Sequence, residues 1–271
     1  MNNFYLMNKI MKKFMISIIE YLSPNRGRKC TKEIGHYLEK IYIVLKSGCN
    51  WNNIESDLHY TTYYKKFVYW SKLGVFQLAH QKICELLSKN IGVHNLMETL
   101  FMDSTDVLNK YGFEDVNYSF KFKNKKATRV NVIVNQIGIP LSIYVTDASK
   151  YDSTLIEKTI DCMSVKIIGS RKYPKYLCAD KGYTNHNLKK KLKLKGIYLI
   201  YPLKSNNKSI KLNYYQKKKT NELLKKRHIN ENYFSWHKNN KRMNSRYDRK
   251  TCLFTSFCYL AATHIIFNKL N

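Results

Sequence analysis

The hydrophobic positions of this chain change period near residue 96. Before that point they recur at helical steps. "IGHYLEKIYIVLKSG" sets Ile34, Tyr37, Leu38, Ile41 and Leu45 on one face, with Gly48 as a stop. "YTTYYKKFVYWSKLGVF" repeats the pattern with Tyr64, Phe67, Val68 and Phe76, and puts Lys65 and Lys66 between them. After residue 96 short apolar runs alternate with helical ones. "TLFMDST" and "KYLCADKGY" are apolar runs that end in acid. "TRVNVIVNQIGIPLSIYVTDA" is two β-branched runs around a turn, a hairpin signal. "DSTLIEKTIDCM" and "NHNLKKKLKLKG" predict helices, "IYLIYP" a strand, and "RHINENYFSWHK" a further helix. Strands followed by alternating strand and helix predict an α/β domain with a mixed sheet.

The expected organisation is therefore a basic N-terminal arm or short helix over 1–30, a helical domain over 31–92, and an α/β domain over 96–271. Aromatics beside lysines in the helical domain suit a helix-turn-helix-like DNA reader, and equally a helical cap on the α/β domain. "MKKFMISIIEYLSP" resembles a signal peptide, but Glu20 interrupts the apolar run and no small-residue cleavage site comes after it.

Charge narrows the function. The chain of 271 residues holds 48 Lys+Arg against 19 Asp+Glu, a formal net charge of +29. That excess favours a polyanion, because released counterions supply affinity without sequence preference. A bilayer span needs about 20 uncharged apolar residues. "TCLFTSFCYLAATHIIFNKLN" comes nearest, and its Thr, Ser, Cys and His264 read as a packed core helix, so no membrane partner is expected. The seven cysteines contain no C-x-x-C pair and fit reduced thiols in a cytosol or nucleus.

Against so many bases the acids are informative. Asp103 ends "LFMD", Asp180 ends "YLCAD", and Glu231 lies between Arg227 and Lys238 on a predicted helix. Ligands in an open α/β sheet gather outside the carboxyl ends of strands. Two strand-end aspartates and a helix glutamate would repel one another unless a divalent cation offset the charge. Hard cations take carboxylate oxygens, and two of them about 3.5–4 Å apart stabilise both oxygens of a phosphodiester displacement. The plain alternatives are turn caps for the aspartates and a solvated ion pair for Glu231.

"MDST", "ADKGY" and "R-x3-E-x6-K" in this order resemble the DDE transposases of bacterial insertion sequences, in the insertion-sequence-four/five superfamily and closest to the five group. "FSWHKNNKRMNSRYDRKTCLFTSFCYLA" is similar to that group's helix, "RYDR" turn and closing apolar helix. "LKSGCNWNNIESDLHYTTYYKKFVYW" is similar to its N-terminal domain, and "IGIPLSIYVTDASKYDS" to its hairpin. The likeness spans residues 25–267.

The resemblance implies a ribonuclease H-like catalytic domain after a small helical DNA-binding domain. It implies Asp103, Asp180 and Glu231 as catalytic metal ligands, with two Mg2+ or Mn2+ ions. Arg227 and Lys238 match the family's phosphate-contacting bases, and Lys181, Arg242, Arg246, Lys65 and Lys66 are the further candidates for DNA contact. The implied partners are double-stranded DNA, as terminal inverted repeats and target, and a second copy in a dimer or larger synaptic assembly. The implied reaction is cut-and-paste transposition, in bacterial cytoplasm at the nucleoid, or in a nucleus or viral replication site if the host is eukaryotic. The rivals are a relic that only binds DNA and a nuclease that cuts without joining. The chain departs from the family at Leu224, where Tyr is common, and at Tyr151, where His is common. Its segment "DVLNKYGFEDVNYSFKFKNKK" lacks the usual Gly/Arg-rich form.

Overall fold

A computed structural model describes residues 7–23, 32–165, 174–202 and 214–270. The basic turn "SPNRGRKC" and most of the polar loop "LKSNNKSIKLNYYQKKKTNE" lie outside them. The helical half contains α1 (Lys9–Leu22), α2 (Ile34–Ser47), α3 (Tyr60–Lys72), α4 (Val75–Ile91) and α5 (Val93–Met97). Then come β1 (Thr99–Asn109), β2 (Asn117–Ser119), β3 (Lys125–Asn135), β4 (Pro140–Asp147), α6 (Asp152–Asp161) and β5 (Tyr176–Cys178). The chain ends through α7 (His186–Leu194), β6 (Tyr198–Ile200), α8 (Tyr214–Lys225), α9 (His228–Lys238), β7 (Ser245–Arg246) and α10 (Thr251–Leu270). This is the mixed α/β architecture expected.

The chain condenses into two compact units that do not follow its order. One gathers residues 1–83, 107–128 and 236–271; the other holds 84–106 and 129–235. The boundaries expected from sequence, 1–30, 31–92 and 96–271, were drawn along the chain.

The first unit is built on aromatic helix faces. Residues 9–22, expected as an arm or short helix, form α1, which buries Met11, Met15, Ile18 and Ile19. Lys12 pairs with Glu39 of α2 at 2.5 Å, and Phe14 lies 5.5 Å from Phe267 of α10. Phe257 of α10 stacks on Phe67 of α3 at 4.3 Å. α10 is long and apolar enough to cross a membrane, but it is apolar on all sides because it is packed on all sides. A helix end and two strand pairings complete the unit: Thr251 N–H donates to Glu114, β2 pairs with the start of β3, and β7 pairs with the end of β1.

The second unit carries the sheet β4-β3-β1-β5-β6. β3 and β4 form the expected hairpin. Asn135 closes it, its side chain accepting from Ile137 and Ile139 N–H, and Gly138 takes the left-handed φ of 76° that the turn requires. β1 and β5 run parallel, as do β5 and β6, with α7 as the crossover between the latter. Asn185 caps α7 by accepting from Leu188 N–H, and Leu188 and Leu192 bury its apolar side.

Candidate active site

The register of β1 and β5 places the two aspartates. Thr99 pairs with Tyr176, Leu100 with Leu177, and Phe101 with Cys178. Asp103 and Asp180 each follow that last pair by two residues. β5 stops at Cys178, whereas β1 continues to Asn109. Asp103 thus lies within β1 rather than at its end, a correction to the sequence expectation. The strand that ends at this level is the neighbouring one. Asp103 accepts from the N–H of Ser104 at 2.8 Å. Asp180 begins a short 3₁₀ turn, Lys181–Tyr183, and accepts from Lys181 N–H at 2.6 Å.

Arg227 brings the next element to Asp180. Its Nη1 donates to Asp180 Oδ1 at 2.8 Å. Arg227 occupies the turn between α8 and α9, and Glu231 stands four residues on, exposed in the first turn of α9. There its charge is favoured by the helix dipole. Tyr233 and Phe234 are buried and anchor the helix. A second correction concerns Arg227, expected on one helix with Glu231 and Lys238, which instead lies in the turn before that helix. The amides of Lys226, Arg227, Ile229 and Asn230 bond three residues back, to Leu223, Leu224, Lys226 and Arg227, so the chain tightens and breaks between α8 and α9.

The three acids offer hard carboxylate oxygens, the donor chemistry of magnesium or manganese. They are not drawn into a cage. Among the described residues no group of three His, Cys, Asp or Glu side chains could hold an ion. The structure puts Arg227 on Asp180, with Asp103 two residues past the last β1–β5 pair, and it leaves Glu231 one helical turn from that arginine.

Close to Asp103 in sequence, Asp106 forms an ionic cluster with Arg129 and Asp152. Arg129 of β3 binds Asp106 through Nε at 2.8 Å and Nη2 at 3.3 Å. Its Nη1 donates to Asp152 at 3.1 Å and to the Lys150 carbonyl at 2.6 Å. Burial opposes the charge of Arg129, but Asp106 and Asp152 outweigh it and raise its pKa. Ser104, next to Asp103, donates to Asp152 at 3.0 Å. A Cβ on Gly182 would approach Asp152 Oδ2 to 3.3 Å, so the turn after Asp180 passes close over the cluster. Tyr183 is buried beside Ser104 without a hydrogen bond of ordinary geometry. Burial, then Asp152 and Asp103, hold its hydroxyl well above the usual tyrosine range. The motifs "MDSTD", "KYDS" and "ADKGY" therefore meet at one place. Arg129, inside an apolar strand pattern, gave no signal.

The other basic candidates divide by burial. Lys181, Lys238 and Lys65 are exposed, and Lys66 lies 5.6 Å from the Tyr37 ring. Arg242 and Arg246 are buried, which removes them as DNA contacts. Arg242 is held by Asp248, at 2.9 and 3.3 Å, and by the Cys49 carbonyl. Arg246 donates to Thr128, to Thr251 and to the carbonyls of Asp248, Asp115 and Arg249. A guanidinium so enclosed ties loops together.

No curated protein sequence matches the chain. Among solved structures, the piggyBac transposase synaptic complex with hairpin DNA is similar at 10% identity and a TM-score of 0.44, over 96% of this chain and 65% of that one. This chain thus spans about two thirds of the length of that relative. The Mos1 strand transfer complex matches at 11% identity and a TM-score of 0.27, over 86% of this chain and 81% of that one. The pre-cleavage Mos1 transpososome matches at 10% and 0.23, over 86% and 82%. A sequence profile of the transposase DDE domain matches residues 94–264, more than half of the chain and the whole span from β1 to β6 and α9. On that match the chain belongs to the transposase DDE domain family.

Proposed function

We propose that the protein is a cut-and-paste DNA transposase of the insertion-sequence-four/five superfamily, closest to the five group. In this reading it has a ribonuclease H-like catalytic domain over 96–271 and a helical DNA-binding domain over 31–92. The observation that carries the reading is the Arg227–Asp180 contact, which joins the signature arginine of the third motif to the acid of the second, in the turn whose Tyr183 feels the charge of Asp103.

Asp103, Asp180 and Glu231 would hold magnesium or manganese, which polarises phosphoryl oxygens and supplies a nucleophile at neutral pH. Arg227 and Lys238 would contact DNA phosphates, and Lys181, Lys65 and Lys66 are further candidate phosphate contacts. Water attacks a phosphodiester at an element end, and the freed 3′-hydroxyl then attacks target DNA. No protein nucleophile is required. Terminal inverted repeats, target DNA and a second copy are the partners of this scheme, acting wherever the host keeps the DNA concerned.

The test is a plasmid excision assay, with a marker placed between the gene's own flanking sequences and magnesium supplied. Wild type should release the marker. Asp103→Ala, Asp180→Ala and Glu231→Gln should each lose product by a factor of about 100 or more while still binding the flanks. Near-normal cleavage by any of the three would remove that residue from the site. Binding of the flanks without any product from wild type would make the protein a DNA-binding relic.

A further inference from the structure

The segment that lacks the family's Gly/Arg-rich form, residues 106–126, carries a concentration of exposed aromatic rings. Tyr111, Phe113, Tyr118 and Phe120 are 65%, 64%, 57% and 88% exposed. Soluble proteins seldom leave large apolar side chains grouped in this way without a partner for them. Before and after the rings stand Lys110, Lys121, Lys123, Lys125 and Lys126, all exposed.

The backbone builds a hairpin that presents these groups. Asn117 pairs with Ala127, Tyr118 with Lys126, and Ser119 with Lys125. Asn124 N–H returns to the Ser119 carbonyl at 3.0 Å, closing the tip around Phe120–Phe122. Lys123 and Asn124 both adopt left-handed φ, at 50° and 58°. That conformation strains a lysine where it would not strain a glycine, and in exchange it sets a charge at the tip. Ser119 is fully buried, so the strand is anchored on one face while Tyr118 and Phe120 face outward. The hairpin's base is held as well. Glu114 accepts from Thr251 N–H at 2.9 Å, and the Asp115 carbonyl accepts from Thr128 at 2.9 Å. The aromatic display is thus a fixed feature and not a frayed end.

We propose that this hairpin is a stacking platform for unpaired nucleotides of DNA, with Phe120 and Tyr118 as the ring surfaces and the lysines as phosphate contacts. Charge selects the occupant. A second copy of this chain would set lysines against lysines, whereas a nucleic acid brings one phosphate for each base. Stacking selects its form. In a duplex both faces of each base are already covered, so an exposed ring gains only from a base that has left the stack. Every base has such a face, which makes the recognition tolerant of sequence. The inference rests on DNA being the partner in the proposed function, and it adds a preference for unpaired ends.

The experiment compares a fluorescein-labelled oligothymidylate with a blunt duplex of equal length, by anisotropy, on the full chain. Wild type should bind both. Phe120→Ala and Tyr118→Ala should each weaken the single strand by roughly 5- to 150-fold, the loss of one stacked base, and leave the duplex within about twofold. Phe120→Trp should keep single-strand binding. Phe120 buries little of its ring, so the thermal midpoint of each variant should match wild type. Unchanged single-strand affinity in Phe120→Ala would overturn the proposal, and so would a dimer dissolved by that change with DNA binding intact. Wild type that binds duplex but no single strand would overturn the platform and spare the transposase reading. Wild type that binds neither would overturn both.

Discussion

Arg227 and Arg129 each pair with aspartate, yet their surroundings give them opposite properties. The Arg227–Asp180 pair is 25% and 48% exposed, so water screens it and its worth is under about 1 kcal/mol. Arg227 can leave Asp180 for a phosphate, and so free the carboxylate for a cation, at little cost. Arg129 is 11% exposed and Asp106 not at all, and the two meet by a two-pronged contact. Removing Asp106 would strand a buried guanidinium. Asp106→Ala should therefore destabilise the fold by roughly 3–5 kcal/mol in urea titration. Arg227→Ala should change stability by less than about 1 kcal/mol and weaken binding to flanking DNA instead. Equal losses from the two would refute the distinction. At this scale the sequence singled out the acids because they are scarce in it and their neighbours form motifs. Arg129 was invisible because its partners lie 23 residues away on either side, and only strand pairing brings them together.

Among the elements, α9 shows what periodicity reveals and what it hides. Its range could be read from the helical spacing of Ile229, Tyr233 and Trp236 and the cations at its end. The break before it could not, since neither Gly nor Pro marks residues 226 and 227. β1 is the converse case. "DSTD" has the composition of a turn, so the strand was expected to stop at Asp103, but the structure buries Ser104, Thr105 and Asp106 and gives Asp106 an arginine. Tertiary pairing overrides the local preference. The hairpin of β3 and β4 was legible because alternation and turn chemistry agree there. Lys238, at the exposed end of α9, gives a prediction of its own. Lys238→Gln should reduce the salt slope of duplex binding by about 0.9, the share of one phosphate. Titration of affinity against salt measures it, and an unchanged slope would take Lys238 off the DNA.

For the molecule as a whole, stability should depend on acidity through two buried histidines. Burial lowers the pKa of His237 and of His264 to about 4, from 6.5. Between those values the unfolded chain takes up protons that the folded chain refuses, so stability falls as pH drops from 6.5 toward 4. The loss should be on the order of 2–3 kcal/mol for each histidine across that window. A thermal midpoint that held steady from about pH 7 to about pH 4.5 would contradict it. The division into compact units was the feature least legible in the sequence, because patterning is local and the units are not. One of them draws on the first, middle and last parts of the chain. That arrangement has a consequence during synthesis. A ribosome delivers α1, α2 and α3 long before α10, so their aromatic faces must wait, uncovered, until the final helix emerges. The interval is the period in which this protein is most exposed to aggregation, and a chaperone that shields aromatic helices would act there.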